Sequence, residues 1–230
     1  MRKRGINDLP TKTYFNLSKE KRERIFNAAI NEFARGSIQT ASISNIVAEA
    51  GIPRGSIYQY FRNKEDIYVH VFETLRNQRA EYVKPAFDLY KKEPFMVFFE
   101  EFFIRDSEYL LLNPLHLEVG KHCYGHAHGV SQKLILKIKN RYKEIFLIGL
   151  DYDRERGIIR QDVDCSVLAD LCVHFVTDIF IFQCIYDCTS ISDIRERTMT
   201  MMQFIKNGVV PFPLQSDAAI DRQHMPRDVT

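Results

Sequence analysis

Apolar residues recur along most of this chain at the spacing of an α-helix. Ile25, Ala29 and Phe33 fall at i, i+4 and i+8, a buried stripe on a helix that Ser18 can cap and that runs to about Arg35. Ile43, Ile46, Val47 and Ala50 repeat at i, i+3, i+4 and i+7, which gives a second, short helix one apolar face. Gly51 then stops it, because glycine takes the left-handed conformation after a helix without a Cβ penalty. Pro53 can open a further helix, anchored inward by Ile57 and Phe61. Asn63-Lys64-Glu65-Asp66 begins the next with acid in its first turn, favourable for the helix dipole; Ile67, Val71 and Leu75 are its stripe and it should end before Pro85.

Downstream the pattern stays helical. Phe95, Phe98, Phe99, Phe102 and Phe103 recur at 0, 3, 4, 7 and 8, an unusually aromatic helix face. Asn113-Pro114 breaks the chain before a short segment, Leu115 to Tyr124. A long helix follows from about Val130 to Arg156, with Gly157 as its stop. Asp164 is expected to cap a helix from Val167 to Asp187, and Ser190 with Asp193 a last helix to about Asn207, closed by Gly208 and Pro211. Strand alternation and internal repeats are missing, so the fold class is all-α. Leu171, Phe175, Ile179, Phe182 and Ile185 leave little of the penultimate helix polar; a helix apolar on most sides must be covered on most sides, and a second copy of the chain is the expected cover.

The stretch from Ser42 to Lys64 carries the first chemistry. Two short helices joined at a glycine, the second with Arg54, Ser56, Tyr58 and Gln59 left on its outer faces, describe a helix-turn-helix whose second helix can enter a DNA groove. Those residue types hydrogen-bond phosphates or base edges. From Ala50 to Phe61, AGIPRGSIYQYF, followed by Lys64 and Glu65, the chain resembles the tetracycline-repressor (TetR) family of bacterial regulators, as do Ile25, Ala28, Ala29 and Phe33 upstream. The resemblance covers about the first third of the chain. Ser37 and Pro53 stand where the family commonly has Gly and Ser or Thr, changes that touch turn chemistry more than the reading surface. It implies DNA contacts from Ser44, Arg54, Gly55, Ser56, Tyr58, Gln59, Tyr60 and Lys64, a homodimer paired through its last two helices, and a repressor released from a palindromic operator by a small effector.

Charge agrees with this division. Residues 1–64 hold 12 Lys and Arg against 5 Asp and Glu, whereas 65–230 hold 20 against 25, so a basic head precedes a mildly acidic body. A head of that sign suits a polyanionic partner. The expected organisation is a basic, polar arm over 1–17, the DNA-binding head over 18–64, a helical effector-binding and dimerisation body over 65–210, and a polar, disordered tail over 211–230. The longest apolar run, Leu171 to Tyr186, is interrupted by His174, Asp178 and Gln183 and is shorter than the roughly 20 residues a bilayer span needs, so no membrane partner is expected. Five cysteines without a framework spacing point to a reducing cytoplasm.

The effector is expected to be mainly apolar and to bind between the Phe95, Phe98, Phe99, Phe102 and Phe103 face and the helices bearing Tyr142 and His174, with His116 and Asp178 as further polar lining. His116, His122, Cys123, His126 and His128 lie within thirteen positions alongside Glu118, ligand types that zinc uses. Their spacing fits no closed metal site, Gly120, Gly125 and Gly129 break up the segment, and no cofactor is expected. No G-x-S-x-G elbow or glycine-rich phosphate loop marks an enzyme. Two alternatives remain: a metal- or redox-sensing regulator built on the His116 to His128 cluster, and a helical enzyme or interaction module with a vestigial head.

Overall fold

A computed structural model describes residues 10–177, 185, 188 and 190–209. Among them the chain is helical without a strand: α1 (Lys12–Phe15), α2 (Lys19–Arg35), α3 (Ile43–Glu49), α4 (Arg54–Tyr60), α5 (Lys64–Val83), α6 (Phe95–Leu112), α7 (Pro114–Gly125), α8 (Val130–Glu155), α9 (Cys165–Thr177) and α10 (Ile191–Val209), with a 3-10 turn over Lys84–Asp88. No helix among the described residues is long and apolar enough to cross a membrane. The expectations for the start of the arm, for the tail from Pro211, and for Asp178, Ile179 and Phe182 fall outside the described residues.

The helix starts follow from local polar chemistry. Ser18 Oγ accepts the Lys21 amide, Asn63 Oδ1 that of Asp66, and Asp164 Oδ1 those of Ser166 and Val167. Ser190 and Asp193 exchange side-chain to backbone bonds in a reciprocal box, which satisfies donors that a helix start otherwise leaves orphaned. Two expectations about glycine are corrected. Gly120 lies within α7 rather than breaking it, whereas Gly125 is its last residue; the break falls over residues 126–129, with Gly129 at φ 57°. Gly208 continues α10 to Val209 instead of closing it.

Two apolar cores share one strut. The head core gathers Ile25, Ala29, Phe33, Ile46, Ile57 and Phe61 around the first half of α5, where Ile67, Val71 and Leu75 are buried. Val119 and Cys123 of α7 and Ile135 of α8 close the same cluster from the body side. The body core is organised by α6, whose five phenylalanines are buried in one cluster with Phe146 of α8 and residues of α9 and α10. At its start α6 has no cap of its own. Asp153 of α8, itself buried, accepts the Phe95 amide at 2.5 Å.

Candidate nucleic-acid interface and effector cavity

Burial divides the second helix of the helix-turn-helix. Gly51, at φ 63°, turns the chain between α3 and α4, and Ile57, Tyr60 and Phe61 turn into the core. Arg54, Gly55, Tyr58 and Gln59 remain exposed and Ser56 half-buried; Tyr58 keeps 49% of its surface. Arg54 Nη1 donates to Ser44 Oγ of α3 at 2.9 Å, which joins the two residues at the entry of the presented surface.

Two of the residues implied by the resemblance stand differently. Tyr60 is 3% exposed and packs toward Tyr14, so it is a core residue rather than a member of the reading face; as the last residue of α4 it falls on the stripe shared with Ile57 and Phe61. Lys64 Nζ donates to the carbonyls of Gln39 and Ala41 at 3.1 and 2.8 Å. It therefore clips the turn ahead of α3, with one of its three N–H donors left over.

Several supports were not readable from sequence pattern. Glu32 of α2 is buried and accepts the Ser42 amide at 2.7 Å and Asn45 Nδ2 at 3.1 Å, an N-terminal cap for α3 delivered from another helix. Thr11 donates its amide to the Tyr60 carbonyl and its hydroxyl to the Gln59 carbonyl, at 3.0 and 2.7 Å. The arm thereby ends against the C-terminus of the presented helix. Behind it, His70 of α5 meets the Tyr14 hydroxyl at 3.3 Å and lies among the Tyr14, Phe26 and Phe61 rings. Burial lowers its pKa to about 4, so the imidazole is neutral near pH 7.

In the body, a cavity of about 240 Å³ opens between α5 and α8, with Phe87 and Val83 at one end and Leu134 and Ile145 along the side. A smaller one of about 50 Å³ adjoins it and reaches Tyr109, His116, Val119, Tyr124 and Thr177 of α6, α7 and α9. Phe72, Arg76, Ile138 and Tyr142 line both. Nearby, Arg79 of α5 grips the carboxylate of Asp106 of α6 through two N–H groups, Nε at 2.5 Å and Nη2. Burial works against the charge on Arg79, but the Asp106 carboxylate outweighs it and holds the pKa above its ordinary value. His116 Nδ1 shares a 2.6 Å hydrogen bond with the Tyr109 hydroxyl; burial, and then Arg79, lower its pKa.

The expected lining is thus only partly assembled. His116 and Tyr142 face the cavities, whereas Phe95, Phe98, Phe99 and Phe102 do not line them. Those four rings fill the space around Phe146 in edge-on contacts, and Phe103 is buried beside Phe99, because α6 runs through the middle of the body and its widest face has no solvent to reach. His174 lies on the outer side of α9, its Nδ1 at 2.6 Å from the Asp170 carbonyl, since Cys172, Val173, Val176 and Thr177 take the buried side. The histidine segment disperses in the same way. His116 meets Tyr109, Cys123 is buried against Tyr68 and Ser131, and His122 and His126 form a separate pair with ring centres 6.1 Å apart. Among the described residues no group of three or more His, Cys, Asp or Glu is placed to hold a metal ion.

The profile of the bacterial regulatory proteins of the tetR family matches residues 25–71, from the middle of α2 into α5. The fatty acid metabolism regulator protein of Bacillus subtilis is 36% identical over 66 residues, 27% of this chain and 34% of that protein; the chain thus spans about a third of the length of that relative. Structural likeness extends much further. A TetR family transcriptional regulator from Chloroflexus aurantiacus superposes over 89% of this chain and 100% of its own at a TM-score of 0.66 and 18% identity. The transcriptional regulator FadR of Bacillus subtilis, solved in complex with stearoyl-CoA, covers 81% of this chain and 98% of its own at 0.65 and 18%.

Proposed function

We propose, from the premise that this chain belongs to the tetR family of bacterial regulatory proteins, that it is a homodimeric repressor of transcription released from a palindromic operator by a small, mainly apolar effector. The observation that carries the reading is the position of α5. Val71 and Leu75 of this helix are buried in the head core, while Phe72 and Arg76 line the body cavities. One rigid helix thus has its first half under the DNA-facing surface and its middle in the wall of an internal space. An effector that binds better to a tilted α5 shifts the population away from the DNA-competent setting, because only differential affinity moves such an equilibrium. Stearoyl-CoA in the Bacillus subtilis neighbour gives an apolar acyl chain as a precedent for the occupant.

Ser44, Arg54, Gly55, Ser56, Tyr58 and Gln59 form the proposed reading surface, with Lys64 beside it. Dimerisation supplies two such surfaces related by a two-fold axis, which gives short helices enough contacts to be specific. Selection from a random-sequence duplex pool with the full chain tests this. The expected product is an inverted repeat bound with a steep salt dependence. Recovery of no enriched sequence would remove the regulator reading.

A further inference from the structure

We propose that the effector is an apolar body bearing one anionic group, and that Arg76 and the Tyr142 hydroxyl receive that group where the two cavities meet; this rests on the reading of the body as an effector-binding unit. Arg76 and Tyr142 line both cavities, one from α5 and the other from α8. Among the described residues the only hydrogen bond of Arg76 goes to Asn77 Oδ1 at 3.3 Å, and no carboxylate of those residues pairs with it. A half-buried guanidinium without an anion is unusual next to a cavity, because desolvating its charge is costly unless a partner compensates.

Its neighbour Arg79 differs in this respect. Asp106 already takes two of its five N–H groups, so that pair is neutral as a unit and attracts an incoming anion less than an unpaired guanidinium does. Where the two cavities meet, the unpaired charge of the wall is that of Arg76. Farther along the larger cavity Lys137 and Arg141 add two cations against Glu73, which lies 3.8 Å from Lys137. A guanidinium binds a carboxylate through two parallel N–H bonds. The Tyr142 phenol has no hydrogen-bond partner among the described residues and can add a third donor. Phe72, Val83, Phe87, Leu134 and Ile145 surround the rest of the space, which therefore suits hydrocarbon. At roughly 30 Å³ for a water-sized group, about 240 Å³ holds at least eight such groups.

The probes follow from that size. N-phenyl-1-naphthylamine, a neutral dye that fluoresces in apolar surroundings, reports occupancy of the full-length protein, and octanoate and 1-octanol compete for it at pH 7.5. Octanoate is expected to displace the dye at concentrations at least about tenfold lower than the alcohol, the scale of a charge-assisted hydrogen-bond pair. Arg76→Gln should erase that preference while still binding the dye. Arg76→Lys should keep part of it and Tyr142→Phe should reduce it a few-fold, each with an unchanged circular dichroism spectrum. Equal displacement by acid and alcohol, or a preference that survives Arg76→Gln, overturns the proposal and leaves the effector-binding reading standing. Ala80→Trp, placed to fill the larger cavity, guards the reading itself: dye binding that is absent, or indifferent to this substitution, removes both.

Discussion

At the residue scale the informative side chains are those whose polar atoms are already engaged. Arg54 is held at the start of α4 by Ser44 Oγ, which aims its guanidinium across the entry of the presented surface. Bidentate Arg to guanine is the commonest specific contact, so Arg54→Ala should lose about 1–3 kcal/mol per half-site and relax preference at one base pair. Competition among single-base operator variants measures this; an unchanged ranking would sink the assignment. Lys64 has two duties to separate. Its bonds to Gln39 and Ala41 carbonyls predict that Lys64→Ala lowers head stability by about 1 kcal/mol. The remaining N–H predicts a salt slope smaller by about one unit per subunit. A melt and a salt titration on the same protein report the two independently, and an unaltered slope would leave only the loop clip.

His70 provides a pH handle. Its pKa of about 4 in the folded protein lies below the value near 6.5 of an unfolded histidine. Between those values the unfolded chain binds the proton and the folded chain does not, so stability falls as pH drops through that window and is unaffected by this group above it. By pH 5 the loss should reach at most about 2 kcal/mol. Urea midpoints between pH 7.5 and 5 should therefore decline more steeply in the parent than in His70→Phe, which keeps the packing against Tyr14 and Phe61 but cannot titrate. Parallel curves would exclude His70 as the source.

At the scale of elements, α6 and α8 are fitted to each other by two unlike devices. Asp153 of α8 caps α6 from 58 positions away in sequence. Gly149, one turn earlier, lets α8 approach so closely that an added Cβ would lie 2.8 Å from Phe95 Cδ2 and 3.0 Å from Tyr90 Cε2. Neither ring has an easy way out, since Phe95 is packed against Phe99 and Phe146 and the Tyr90 hydroxyl is tied to the Ile145 carbonyl. Alanine at 149 would gain about 1 kcal/mol of helix propensity but overpack a closed interface, which costs about 1–3 kcal/mol. The expected outcome of Gly149→Ala is a net fall in the thermal midpoint of the full-length protein; a rise would show that the rings yield.

At the scale of the whole molecule, α9 and α10 expose Leu171 at 52% and Phe204 at 77%, with Val167 and Met199 also open to solvent. Apolar patches of this kind mark contact surfaces. If they pair two copies, Leu171→Glu and Phe204→Glu should each shift sedimentation from dimer toward monomer and cut operator affinity, because two half-sites are no longer read together. Single-species sedimentation identical to the parent in both variants would place the dimer interface elsewhere.

Sequence by itself determined what depends on near neighbours. The helical class, the caps at Ser18 and Asp164, the helix start at Asn63 to Asp66, the turn at Gly51 and the inward anchors Ile57 and Phe61 all follow from residues within a turn or two, where periodicity and hydrogen-bond chemistry act directly. The same local pattern marked the Phe95 to Phe103 stripe as apolar, yet could not say whether it faced core or cavity, since both need the same residues. Tertiary structure decided that by routing α6 through the middle of the body, which sent the aromatic face into packing. It also left the cavities to α5 and α8, where Arg76 had no sequence signal to set it apart from any surface arginine. Tyr60, Glu32 and Asp153 were illegible for the same physical reason: each acquires its role from a partner brought close only by folding, and burial and long-range pairing are properties of the packed chain rather than of any segment of it.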